Sequence, residues 1–328
     1  MERDHTEGVV LSDAERERIF RTVIVPRFLA TEGTPLPERR EAVILGGQPG
    51  AGKTGFLSEA TQDLRSRGAT WTINGDDFYA YHPRYAELQA KFGAEAAHMV
   101  KDVAKDWVEK TLAEAMNRGV NIALESTMRQ PAVVKATLEQ LQAADYQVHA
   151  KVLAVNEHVS WQGNHTRYER LLQAGTFARL TSRQTHDQAV RGVLQTVDTI
   201  EREKLANRVT VYTRGGQVLY DNTHHGSRWA HAAEARKAIV DERDRPMNAA
   251  DREAHWRGWE RVSDSMLKRN APVKDVMGVM TQQRTDDTAL KAAARAASRS
   301  RPTQQQDTER AKPATPPKQR GSRGGQER

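Results

Sequence analysis

The eight residues Gly47-Gln48-Pro49-Gly50-Ala51-Gly52-Lys53-Thr54 satisfy the pattern G-x-x-x-x-G-K-[ST] in full. Such a loop works only where a buried strand delivers it and a helix carries it away, because the helix N-terminus supplies unpaired N–H groups for phosphate. Both flanks are present. Ala42-Val43-Ile44-Leu45 is an unbroken apolar run, and Lys53 to Arg67 carries a helical pattern closed by Gly68. The loop residues Gly47 to Thr54 therefore read as a binding site for the phosphates of ATP. Lys53 spans the β- and γ-phosphates, and the Thr54 hydroxyl is placed to ligate Mg²⁺.

The rest of the chain repeats the alternation. Strands are expected at Thr70–Ile73, Asn121–Leu124 and Val148–Val155, and a terminal hairpin at Val209–Tyr212 and Val218–Tyr220. Helical pattern covers about 94–118 (closed by Gly119), 132–144, 159–174 and 183–203. This order predicts an α/β fold of the P-loop kinase type, a mostly parallel sheet with helices on both faces. An amphipathic helix capped by Ser12 precedes it, running to about Leu29, and residues 30–40 form a linker. The kinase domain is expected over 41–223, after an N-terminal helix and linker over 1–40. A charged helical extension with Trp229, Trp256 and Trp259 follows over 224–280, and a disordered basic tail over 281–328.

Composition narrows the function classes. No apolar run is long enough to span a membrane and the N-terminus does not resemble a signal peptide. With no cysteine, disulfides, thiol nucleophiles and cysteine-bound metals are excluded, and a cytoplasmic location is expected. The formal charge of +7 is uneven: residues 301–328 hold seven Arg/Lys against three acids, leaving +3 for the other 300 residues. A near-neutral body with a basic tail argues against nucleic-acid binding by the folded domain.

In open parallel sheets, ligands sit at the carboxyl ends of the strands. The second strand ends in Asn74-Gly75-Asp76-Asp77-Phe78, and the third in Glu125-Ser126-Thr127-Met128-Arg129. Both ends are expected beside the phosphate loop, with the second strand next to the strand that carries it. Asp76 is placed to accept a proton from an attacking hydroxyl, with Asp77 as its rival, unless the two merely cap a helix. Arg167 and Arg179 recur downstream on predicted helices, where such residues are commonly just solvated, and His186-Asp187 follows.

Taken together these stretches resemble the zeta toxin family, the kinase half of bacterial epsilon/zeta toxin–antitoxin systems. The matching residues are Gly47–Thr54, Asp76-Asp77-Phe78 with His82-Pro83, Asn121 to Arg129, Arg167-Tyr168-Glu169, Arg179-Leu180-Thr181 and His186-Asp187, over roughly residues 40–222. The resemblance implies ATP-dependent phosphorylation of the 3′-hydroxyl of the amino sugar in UDP-N-acetylglucosamine. The product would interfere with cell-wall precursor synthesis, and an epsilon-type antitoxin would be the protein partner. It also implies roles: Asp76 as general base; Glu109, Glu125, Thr127 and Arg129 as contacts to the UDP-sugar; Arg167 and Arg179 on the ATP phosphates. Two positions depart from the family pattern, Ser126 in place of its usual glycine and Asn74 in place of its common aspartate.

Two other functions share part of this signal. A different small-molecule phosphotransferase, such as an antibiotic kinase, needs the loop and an acidic base but not Glu125, Thr127 and Arg129. A nucleic-acid-associated NTPase would use the basic tail.

Overall fold

The computed structural model describes residues 10–29, 34–226 and 228–300. Ser12 opens the first helix through a capping box, its hydroxyl accepting from Glu15 N while Glu15 accepts from the Ser12 N–H at 2.9 Å. Helix α1 (Asp13–Ile19) continues through a π-helical turn (Phe20–Ile24) into α2 (Val25–Leu29). Ile19, Phe20 and Ile24 are buried in the main core. Residues 30–33 of the expected linker lie outside the described residues.

The strands are β1 (Glu41–Gly46), β2 (Thr70–Ile73), β3 (Asn121–Ser126), β4 (Gln147–Ala154), β5 (Arg208–Thr213), β6 (Val218–His225) and the short β7 (Arg228–Trp229). They form one sheet in the order β2-β3-β1-β4-β5-β6-β7. The first five are parallel, and β6 and β7 turn back antiparallel. Strand β1 is buried on both faces. Val43 and Leu45 pack under helix α3 (Lys53–Arg65), against Leu57, Ala60 and Leu64, while Ala42 and Ile44 face the opposite core. Between β2 and β3 come a 3₁₀ turn (Gly75–Tyr81), α4 (Tyr85–Phe92) and α5 (Ala96–Arg118), which Gly119 ends in the left-handed conformation. The Trp107 indole of α5 donates to Arg16 O at 3.0 Å and ties the first helix to it.

Helix α6 (Pro131–Ala143) links β3 to β4. Helices α7 (Glu157–Gln173) and α8 (Arg183–Glu203) link β4 to β5. The sheet order corrects one expectation: β3 lies between β1 and β2, so the second strand does not neighbour the strand bearing the phosphate loop. The parallel register nonetheless aligns the strand ends, pairing Leu45 with Glu125 and Ile73 with Leu124.

The C-terminal part packs back on this framework through α9 (Ala235–Asp244), α10 (Ala249–Lys268) and α11 (Val273–Ser300). Trp259 is fully buried against Trp161 of α7 with Val262, Met266, Val276 and Val279. The Trp229 indole donates to Glu201 O at 2.8 Å, whereas that of Trp256 bonds within its own helix to Glu260. Disorder from about residue 281 is corrected as far as Ser300, which belongs to α11. The reason is burial that composition concealed: Leu290, Gln283 and Asp286 of that stretch are all covered. Residues 301–328 lie outside the described residues.

Candidate active site

Three glycines set the shape of the phosphate loop. Gly50 and Gly52 sit at φ +79° and +96°, a region that side chains disfavour. A Cβ on Gly50 would lie 1.9 Å from Ser160 O, and one on Gly163 would lie 2.3 Å from Gly50 O. Helix α7 therefore rests backbone-on-backbone against the loop. The Lys53 side chain is buried, donating to Gly47 O at 2.8 Å and Gln48 O at 3.2 Å, with Glu125 Oε1 at 3.4 Å. Burial lowers its pKa and Arg167 lowers it further, while Glu125 and Asp76 oppose. Thr54 is exposed beside it at the start of α3.

Asp76 reaches this centre from the 3₁₀ turn. The Asn74 side chain caps the turn, accepting from Asp76 N at 3.2 Å and donating to Asp77 Oδ1 at 3.1 Å. Asp76 is gripped by two arginines: Arg167 bonds to Oδ2, and Arg179 Nη1 donates to Oδ1 at 2.8 Å. Burial works against its ionisation, but Arg167 and Arg179 outweigh it and hold the pKa at about 2. Asp77 has the opposite environment. Burial, then the neighbouring charges of Asp76 and Glu125, push it up to about 6. Arg167 lies on α7 as expected. Arg179 does not lie on a helix, because α7 ends at Gln173 and α8 begins at Arg183; it sits in the connection, over the Tyr79 ring at 5.3 Å.

Lys53, Asp76, Glu125, Thr127, Arg167 and Arg179 line one cavity of about 230 Å³ with Pro49. A second cavity, about 420 Å³, is lined by Gly50, Gly52, Lys53, Thr54 and Arg167. Lys53, Glu125 and Arg167 line both cavities. Two predicted contacts stand apart. Glu109 is exposed on α5 and pairs with Lys105 at 3.4 Å, and Arg129 lines neither cavity, its backbone packing against Gly192. His186 is buried and structural, its Nε2 2.9 Å from Ser160 Oγ. Glu169 accepts two bonds of 2.8 Å from Arg269 and so anchors α10.

The structure adds residues that sequence reasoning passed over. Lys101 and Lys105, one helical turn apart on α5, line the Asp76 cavity; their i,i+4 spacing was the available signal. Arg170, Arg214 and Arg261 line the other cavity. No short-range pattern could assemble those three, which come from α7, the β5–β6 turn and α10.

Comparison with known proteins places this arrangement among relatives. A sequence model of the zeta toxin family matches residues 28–225. Toxin PezT of Streptococcus pneumoniae is 30% identical over 193 residues, which cover 58% of this chain and 76% of that protein. Toxin zeta of Streptococcus agalactiae is 30% identical over 186 residues, 56% of this chain and 64% of the relative. A solved structure from the PezAT chromosomal toxin–antitoxin system of S. pneumoniae superposes with a TM-score of 0.64 at 24% identity, over 78% of this chain and 98% of that one.

Proposed function

This chain belongs to the zeta toxin family, and from that premise we propose that it is an ATP-dependent kinase of a UDP-sugar. The acceptor is the 3′-hydroxyl of the amino sugar in UDP-N-acetylglucosamine or a close relative. The observation that carries this reading is the convergence of Asp76, Lys53, Arg167 and Arg179 on one cavity that also holds Glu125 and Thr127.

In this reading the acceptor hydroxyl oxygen attacks the γ-phosphorus in line. The bond from that phosphorus to the bridging oxygen breaks, ADP leaves, and the hydroxyl proton passes to Asp76. Lys53, Arg167 and Arg179 offset the phosphate charge. The two arginines that now hold Asp76 are also the natural partners of the donor phosphates, so ATP binding draws them off and frees the carboxylate. Glu125 and Thr127 would orient the sugar nucleotide, with Lys101 and Lys105 facing its diphosphate. Glu109 and Arg129 would reach the acceptor only by side-chain movement.

Magnesium fits as a companion of the triphosphate. Among the described residues no cluster of three or more His, Cys, Asp or Glu side chains is built to cage a cation. A phosphate-loop site instead holds Mg²⁺ through a hydroxyl, phosphate oxygens and water, and Thr54, exposed at the start of α3, would supply that hydroxyl. When bound, the ion neutralises charge on the phosphate oxygens.

Such a kinase would act as a toxin in the cytoplasm, where ATP and UDP-sugars meet, restrained by an epsilon-type antitoxin. No helix among the described residues is long and apolar enough to cross a membrane. The test is purified full chain with labelled ATP, Mg²⁺ and a panel of UDP-sugars and aminoglycosides. Phosphate on UDP-N-acetylglucosamine is the expected result. Transfer to an aminoglycoside alone would overturn it in favour of an antibiotic kinase.

A further inference from the structure

We propose that Arg243, on helix α9 and beyond the family-matched residues 28–225, is a positioning residue that sets the phosphate loop from behind. The proposal rests on the reading of that loop as the donor site.

Gln48 is the second residue of the loop, and its side chain points away from the cavities into the protein, fully buried. Its Nε2 donates to Val155 O at 2.7 Å and to Ser160 Oγ at 3.2 Å, which ties the loop to the end of β4 and the start of α7. Its Oε1 accepts from Arg243 Nη2 at 2.8 Å across 195 positions of sequence. Arg243 is itself only 6% exposed. Its Nη1 donates to Val190 O of α8 at 2.8 Å, and its own carbonyl accepts from Asn156, the residue that caps α7. From α9, Arg243 thus joins the loop to α8 through its guanidinium and to the cap of α7 through its backbone carbonyl.

The energetics point the same way. Arg243 makes no hydrogen bond to a carboxylate among the described residues, and burial lowers its pKa to about 10, with Glu157 and Asp244 opposing. A buried cation held by an amide and a carbonyl is a costly arrangement for simple packing. It leaves a positive charge directly behind a loop whose ligand carries several negative ones. Without Arg243, the buried Gln48 Oε1 loses this donor, and the side chain must turn, taking the loop backbone with it.

The experiment uses the full chain with Arg243→Met, Arg243→Lys, Gln48→Leu and the Gln48→Leu/Arg243→Met pair. For Arg243→Met we expect kcat/KM for ATP to fall roughly 10- to 100-fold, since displacements of about 1 Å at a reacting centre cost that much. KM for the UDP-sugar should stay within about twofold, Arg243→Lys should recover part of the loss, and the double variant should be no worse than the poorer single one. Equal losses on both substrates, additive losses, or ATP kinetics unchanged in Arg243→Met would each overturn the proposal. Should Arg243→Met not fold, Gln48→Leu carries the test, and an unchanged ATP side there refutes it. ADP affinity, measured without acceptor, keeps the two proposals separable. A wild type that binds ADP but phosphorylates no UDP-sugar sinks only the acceptor assignment. Equal ADP affinity in wild type and Arg243→Met sinks only the role of Arg243.

Discussion

Replacing Asp76 by Asn should kill transfer and at the same time tighten ATP binding. The carboxylate is shared between Arg167 and Arg179, and the fall of its pKa from 3.8 to about 2 records how strongly they favour its charge. That fall corresponds to ~2 kcal/mol of preference for the ionised form, and it is the net of an opposing burial effect. Donor phosphates must overcome this pairing to recruit the two guanidiniums. An amide in place of the carboxylate would keep the shape but offer no charge, so ATP affinity should rise by up to about tenfold, the equivalent of ~1.4 kcal/mol. The same change removes the proton acceptor and should lower kcat by roughly 10² to 10⁴. The assay pairs calorimetric ATP affinity with single-turnover transfer to the UDP-sugar, for Asp76→Asn beside Asp77→Asn. Asp77 bonds to Asn74 and holds no arginine in this way, so its variant should leave ATP affinity unchanged. Weaker ATP binding by Asp76→Asn would refute the competition argument. A dead Asp77→Asn beside an active Asp76→Asn would refute the assignment of the base.

Lys53→Ala should cost about 10² to 10³ in kcat, because a neutral stub cannot offset β/γ-phosphate charge; full activity would remove the phosphate loop from the mechanism. Gly50→Ala places a Cβ 1.9 Å from Ser160 O at φ +79°, so ADP affinity should drop at least about tenfold and unfolding should come earlier in a thermal scan. Stability should also depend on pH through His158, whose pKa the hydrogen bond to the buried Asp286 raises, against the effect of burial. A raised pKa favours the folded state at low pH, so that support is complete below about 6.5 and is lost as pH climbs through the raised value. Wild-type Tm should therefore fall more than that of His158→Gln as pH rises from 6 to 9; parallel curves would remove His158 from the docking of α11.

The parts of this fold that were legible in sequence are those dictated by neighbours. Strand β2 falls where Thr70-Trp71-Thr72-Ile73 placed it, and α8 runs from Arg183 to Glu203 as its pattern required. Periodicity and terminal glycines report local geometry, and local geometry decides such elements. Helix α4 was missed because it is a short segment behind a 3₁₀ turn, held by burial of Tyr85 and Leu88 rather than by a long repeat. The part of α11 beyond residue 280 reads as disordered in sequence because its buried residues include the polar Gln283 and Asp286 beside Leu290. Asp286 bonds to His158, His255 and Trp259, contacts that no hydropathy pattern carries.

Residue order alone supplied the chemistry on offer: a loop of fixed glycines with a lysine and a threonine, and carboxylates and arginines at strand ends. Folding in three dimensions selected which of them meet. It inserted β3 between β1 and β2, yet let the 3₁₀ turn carry Asp76 back to Arg167 and Arg179, 91 and 103 positions away. It left Glu109 on the solvent side of α5, and it brought Arg243 to Gln48 from 195 positions away. The physical reason is that parallel strands require long crossovers, so residues at one sheet edge are far apart in the chain. Their pairing is then set by sheet order and by which helix face is buried, and neither is encoded in any short stretch of residues.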